Sequence, residues 1–180
     1  MAARLGPIEA PPDSGLLGPL GPEIAPLFTR PFLVLHRASE LYTARICLLL
    51  LCDLGWEARL RAGATLDGLC ADLPDQARRP LAWMLPFLAE EGLLAEEGGT
   101  YTLRGEPDLD LAGLREAVAL EVPGHEANFD LLDGVRSHIG PFFTEGRDGD
   151  SLLFDLALFP HWLAYFRNGN LVYFPNNLLT

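Results

Sequence analysis

Between residues 41 and 54 the chain is apolar at almost every position, with Thr43, Arg45 and Asp53 as its polar interruptions. A helix with so little polar surface must be enclosed, either at the centre of a domain or in a subunit interface. Ser39 is placed to cap it, Glu40 falls in its first turn and Gly55 stops it. Further on, Thr65 caps a short helix over residues 66–71, and a turn follows at residues 72–75. A longer helix then runs from about Gln76 or Pro80 to Glu91, with Leu81, Met84, Leu85 and Leu88 as a stripe at helical spacing and Gly92 as its terminator. Two short β-like runs, 93–95 and 101–103, flank Gly98-Gly99 and predict a hairpin.

Helix, turn, helix and hairpin in that order predict a winged helix-turn-helix. Around it lie two stretches of different character. Residues 1–26 are rich in Pro and Gly without a sustained period and read as an arm or linker, with Leu16, Leu17 and Leu20 available to dock. Beyond Gly105 an acidic linker or helix start leads to helices over 111–122 and 125–139, closed by Pro123-Gly124 and Gly140-Pro141. A polar loop at 146–150 precedes a helix over 151–166 that is interrupted at Pro160, and Asn168-Gly169-Asn170 makes a turn. The expected fold is mainly α, a winged helix-turn-helix with one small β-hairpin and additional C-terminal helices. Its divisions are an arm at 1–30, a winged-helix dimerisation domain at 31–105 and a helical segment at 106–180.

Charge narrows the choice of partners. Thirteen basic against 25 acidic residues leave a net charge of -12, which disfavours nucleic acid and anionic lipid surfaces. All the lysine/arginine positions are Arg, and this carries no functional conclusion. Cys47, Cys52 and Cys70 lack the Cys-x-x-Cys pairs of a zinc site and read as reduced, buried thiols. The prolines between residues 7 and 26 interrupt any apolar stretch of signal-peptide length, and the greasy run 46–52 is too short for a bilayer. The expected compartment is the cytoplasm, with no membrane partner.

A helix that reads DNA shows polar and basic side chains opposite its core stripe. Here the corresponding face offers Arg78 and Arg79 and then Ala82, Trp83, Pro86, Phe87 and Ala89. Pro86 also removes a mid-helix hydrogen bond, at about 3 kcal/mol if unrelieved, so a kinked, greasy helix is expected. Glu90, Glu91, Glu96 and Glu97 would repel phosphate. A protein partner fits this face better than a DNA groove, and Leu48, Leu51, Trp83 and Phe87 are the interface candidates of an expected homodimer.

Several motifs together carry a family resemblance. They are the apolar helix 44–54, Leu66-Asp67-Gly68-Leu69-Cys70, Leu81-Ala82-Trp83-Met84-Leu85-Pro86-Phe87-Leu88-Ala89-Glu90-Glu91-Gly92-Leu93-Leu94, and the wing Glu96-Glu97-Gly98-Gly99-Thr100-Tyr101-Thr102-Leu103. This third of the chain resembles the winged-helix dimerisation domain at the N-terminus of class I S-adenosylmethionine-dependent methyltransferases of the O-methyltransferase type. Residues 158–179, with Trp162, Tyr165-Phe166, Asn168-Gly169-Asn170, Tyr173-Phe174 and Asn176-Asn177, resemble the connection to the catalytic domain in such enzymes, polyketide pathways included. The resemblance implies helices that wall the pocket of a small or carrier-bound natural-product acceptor. It also implies a downstream methyltransferase domain that binds S-adenosylmethionine.

The residues implied to line the acceptor are His125, Asn128 and Phe129 in one segment, and His161, Trp162, Tyr165, Phe166, Tyr173 and Asn176 in the other. The last thirty residues independently point to a missing cover, because they hold seven of the 17 aromatics and only two charges, Asp155 and Arg167. No acidic Gly-x-Gly-x-Gly turn, phosphate loop or nucleophile elbow occurs in the sequence, so no catalytic, cofactor-binding or metal residue is assigned. His36 and His138 rank below His125 and His161 for acid–base work, and Asp148-Gly149-Asp150 lacks the further ligands of a calcium loop. Oxygen and carbon acceptors both remain open. The rival readings are a non-catalytic winged-helix adaptor and a winged-helix DNA-binding regulator.

Overall fold

The computed structural model describes residues 27–167 and 169–175, so the expected arm at 1–26, Leu16, Leu17 and Leu20 included, lies outside the described residues, as do Asn168, Asn176 and Asn177. The chain is mainly helical with one small antiparallel sheet. It divides into two compact units, each assembled from separate stretches, and neither follows a linear division at residue 105.

The first unit comprises 27–42, 110–131 and the described part of 160–175. It receives the opening half of α1 (Arg30–Asp53). This helix begins nine residues before Ser39. Thr29 Oγ1 accepts from the Phe32 amide at 3.4 Å, and Pro31 sits in the first turn, where its missing N–H has no partner to lose. Ser39 is therefore not a cap; its hydroxyl donates to the Leu35 carbonyl inside the helix at 2.8 Å. α5 (Leu111–Glu121) is capped by Asp110, whose carboxylate accepts from the Gly113 amide at 2.8 Å. With the start of α6 (Ala127–His138) it buries Leu114, Val118, Phe129 and Leu131, and Leu35, Ala38 and Tyr42 of α1 are buried in the same unit. α9 (Phe159–Tyr165) carries Pro160 in its first turn, so the expected long helix over 151–166 is replaced by two short ones.

The second unit comprises 43–109 and 132–159. After α1 ends, α2 (Glu57–Ala62) leads into β1 (Ala64–Thr65), α3 (Leu66–Cys70), a 3-10 turn at Asp75–Ala77, and α4 (Arg78–Glu90). Thr65 caps α3 as its position predicts, accepting from the Gly68 amide at 3.1 Å. β2 (Leu94–Glu97) and β3 (Thr100–Leu103) form the expected hairpin around Gly98 and Gly99, whose φ angles of 56° and 78° suit a two-residue turn. A third strand was not expected: β1 pairs with β3 through Ala64 and Tyr101, giving the order β1-β3-β2. Gly63 enters that pairing at φ 89°, and a Cβ there would meet Thr100 Cγ2 at 3.2 Å.

α4 continues through Pro86. Pro86 and Ala82, whose carbonyl loses its helical donor, are both exposed, so the lost bond does not strand a polar group in the core. The stripe Leu81, Met84, Leu85 and Leu88 is buried as its spacing predicts, against Leu48, Leu51, Leu60, Leu69 and Leu94. Each leucine so enclosed contributes about 1.5–3 kcal/mol by burial. Gly140-Pro141 ends α6 and also opens α7 (Gly140–Thr144), because proline is acceptable in a first turn. Asp148 caps α8 (Gly149–Leu153) by accepting from the Ser151 amide at 2.8 Å, which makes the Asp-Gly-Asp stretch a helix start.

Candidate functional site

In the first unit, the start of α6 and the turn after α9 border a small open cavity of about 220 Å³. His125 and Arg167 line it with Gly124, Ala127, Ala164 and Asn170. Asn170 is buried and fully engaged. Its amide nitrogen donates to Asn128 Oδ1 at 2.7 Å and to the Tyr165 carbonyl at 2.8 Å, while its oxygen accepts from the Val172 amide at 3.1 Å. Asn128 in turn donates to Ser39 Oγ at 3.4 Å. The amide pair thus fixes the wall, since burying either group alone would leave a polar atom unsatisfied. His125 and Arg167 are the polar side chains left to meet a ligand.

The other expected acceptor-lining residues separate into three groups. Phe129 does not line a pocket: it is only 1% exposed and packs on Tyr42 with ring centroids 4.7 Å apart. The Arg115 guanidinium lies 5.5 Å from both ring centroids, donates from Nε to Tyr42 Oη at 3.0 Å and pairs with Asp130 at 2.8 Å. An aromatic held in that sandwich belongs to the core. Trp162, Tyr165, Phe166 and Tyr173 form one aromatic cluster; Trp162 stacks on Phe166 at 5.4 Å, and Tyr173 meets Phe166 at 4.9 Å and Tyr165 at 5.3 Å. Burial, with the Tyr173 hydroxyl nearby, pushes the Tyr165 phenol above its usual pKa. His161 is half-buried on α9, and Asn176 lies outside the described residues.

The other two histidines have local roles. His36 stacks on Phe32 at 5.7 Å, and His138 Nδ1 lies 2.9 Å from the Gly134 carbonyl of its own helix. Cys47 is buried, which pushes its thiol up to about 12; burial also raises the thiols of Cys52 and Cys70, and none of the three is in a disulfide. Among the described residues no group of His, Cys, Asp and Glu could hold a metal ion, and no helix is long and apolar enough to cross a membrane.

Of the interface candidates, Leu48 and Leu51 have no exposed surface. They are enclosed by the second unit's own core, so they cannot present an interface without unpacking it. Trp83 and Phe87 differ. Their rings stack 5.0 Å apart at 13°, and Trp83 remains 56% exposed. Beside them Ala82 and Pro86 are exposed, while the hairpin tip carries the exposed Glu96 and Glu97.

Sequence reasoning missed Arg167 and Asn170 as lining residues. The Asn-Gly-Asn stretch reads as a turn, and the partner of Asn170 lies 42 residues away, where no local pattern can reveal it. The concentration of aromatics around Arg167 was the available signal. No protein-family model, curated protein or solved structure matches this chain.

Proposed function

We propose that this chain is the dimerising, acceptor-lining helical region of a class I S-adenosylmethionine-dependent methyltransferase acting on a small or carrier-bound natural-product intermediate. One observation carries the reading: the outward face of α4 presents an exposed Trp83 stacked on the half-buried Phe87, beside the exposed Ala82 and Pro86. That surface is suited to a second copy, since exposed aromatics lose water on association whereas phosphate demands cations. The order β1, α3, α4, β2, β3 with sheet order β1-β3-β2 supports a winged helix as the fold of the second unit.

The methyl donor does not fit the residues described. The sheet has strands of two, four and four residues, all antiparallel, and none leads into an acidic glycine-rich turn at a helix start. The reading therefore assigns S-adenosylmethionine to a further domain and derives no step through it here. What this chain contributes is the pairing surface on α4 and a wall for the acceptor. In that wall His125 is the imidazole that would take a proton from an acceptor group and Arg167 supplies a cation, while the Trp162–Tyr173 aromatic cluster lies outside the cavity lining.

The coding sequence beyond Thr180 tests this reading. It should continue in frame into a strand and an acidic glycine-rich turn, and the complete product should transfer a labelled methyl group from S-adenosylmethionine. A stop codon directly after Thr180 contradicts it and leaves a winged-helix adaptor. Salt-sensitive binding of duplex DNA at physiological ionic strength contradicts it in favour of a regulator.

A further inference from the structure

The second unit contains a larger cavity, of about 490 Å³, bounded by α4, α7 and α8. The rings of Trp83, Phe142 and Phe143 wall it together with Ile139 and Leu153. Small-molecule sites commonly fall between about 300 and 1,000 Å³ and combine apolar walls with very few polar groups. Here the one charged residue of the lining is Arg79, on the first turn of α4.

Arg79 is not drawn into the ion pairs that engage other arginines of the chain. Its neighbour Arg78 pairs with Asp67 at 2.6 Å, and Arg30, Arg45, Arg61, Arg115 and Arg136 each face a carboxylate. Among the described residues Arg79, like Arg59, Arg104, Arg147 and Arg167, has no such partner, and it is the one of these that lines this cavity. The carboxylate of Asp148, just before the cavity's α8 wall, is already engaged in capping that helix.

The walls are also tied in place without a ligand. Gln76 donates to the Phe142 carbonyl at 3.2 Å and to the Arg147 carbonyl at 2.8 Å, joining the 3-10 turn to α7 and to the loop after it. Phe143 is buried and meets Phe142 edge-on at 5.2 Å. At Gly149 a Cβ would come within 3.3 Å of the Phe142 ring, so α8 approaches this wall closely because that position lacks a side chain. A cavity held by such bonds loses little freedom when it is filled.

We infer that this cavity binds a small aromatic carboxylic acid, its rings packed among Trp83, Phe142 and Leu153 and its carboxylate paired with Arg79. Three aromatic walls favour an aryl body through face and edge contacts, and a guanidinium matches a carboxylate with two parallel hydrogen bonds. The assignment shares Trp83 with the proposed pairing surface on α4, but no residue proposed to wall the acceptor takes part in it.

Calorimetric titration of the intact chain with naphthalene-2-carboxylate, alongside the uncharged naphthalene-2-methanol, tests it. The acid should saturate a single site with Kd below about 1 mM and bind about fivefold tighter than the alcohol. Arg79→Gln, at an exposed position, should abolish that preference and leave alcohol binding unchanged. Leu153→Trp, which fills the cavity, should weaken both ligands by about tenfold or more, with the melting temperature reporting that the fold is retained. The inference is overturned if wild type shows no saturable binding, including where a second copy closes the cavity, or if acid and alcohol bind equally. It is also overturned if a folded Leu153→Trp binds like wild type. Should Leu153→Trp unfold, an Arg79→Gln variant that keeps the acid's preference overturns it on its own.

Discussion

In the second unit Leu48, Leu51, Leu69, Leu81, Leu85 and Leu88 close around one another, whereas the first unit buries the Asn128–Asn170 amide pair and sets the half-buried Arg115 guanidinium against the Tyr42 and Phe129 rings. The two interiors hold by different physics. An aliphatic core gains from area removed from water and is indifferent to direction. A buried amide pair gains little in net terms but penalises every arrangement that leaves it without its partners, so it fixes orientation. The polar interior also borders the small cavity with His125 and Arg167, where orientation matters for a ligand. The aliphatic interior backs the helix whose outer face carries Trp83 and Phe87, where rigidity matters for a partner.

Substitutions in each interior should separate these mechanisms. Leu85→Ala removes a fully enclosed side chain and should cost about 2–5 kcal/mol in chemical denaturation, from lost transfer energy and the cavity left behind. Asn128→Leu should cost about 1–3 kcal/mol, because it removes the acceptor facing the Asn170 amide. An Asn128 variant as tolerant as a surface site would erase the distinction between the two interiors. Cys47 offers a third comparison within the aliphatic core. Burial raises its thiol to about 12 from a usual 9.0, so the unfolded chain loses that proton first as the medium becomes alkaline. Its contribution is therefore complete below pH 9 and declines between pH 9 and 12, by up to about 1.4 kcal/mol per pH unit. Cys47→Val should remove this part of the alkaline slope, measured by denaturation at successive pH values.

The same contrast explains what could be read from the sequence. The stripe Leu81, Met84, Leu85 and Leu88, the Thr65 cap and the Gly98-Gly99 turn are local signals, and each forms where its spacing predicts. α2 and β1, at six and two residues, are too short to show a period, and β1 is defined by its partner strand. Pro141 and Pro160 read as breaks, yet each opens a helix, because first-turn amides have no helical acceptor to satisfy. In the candidate site the difficulty was direction. Phe129 and His125 lie four residues apart in sequence, but one is core and the other borders the cavity, and the contacts that decide this come from residues as distant as Tyr42. Likewise the Arg115–Tyr42 bond spans 73 residues, beyond any periodicity argument.

The account turns on the outward face of α4 as a surface for a second copy. Sedimentation equilibrium of the intact chain and of Trp83→Glu tests this most directly. The account predicts a dimer for wild type and a monomer of unchanged melting temperature for the variant, because an exposed side chain supports association without supporting the fold. A wild-type chain that stays monomeric across the accessible concentration range, or a variant that sediments as wild type does, would contradict it.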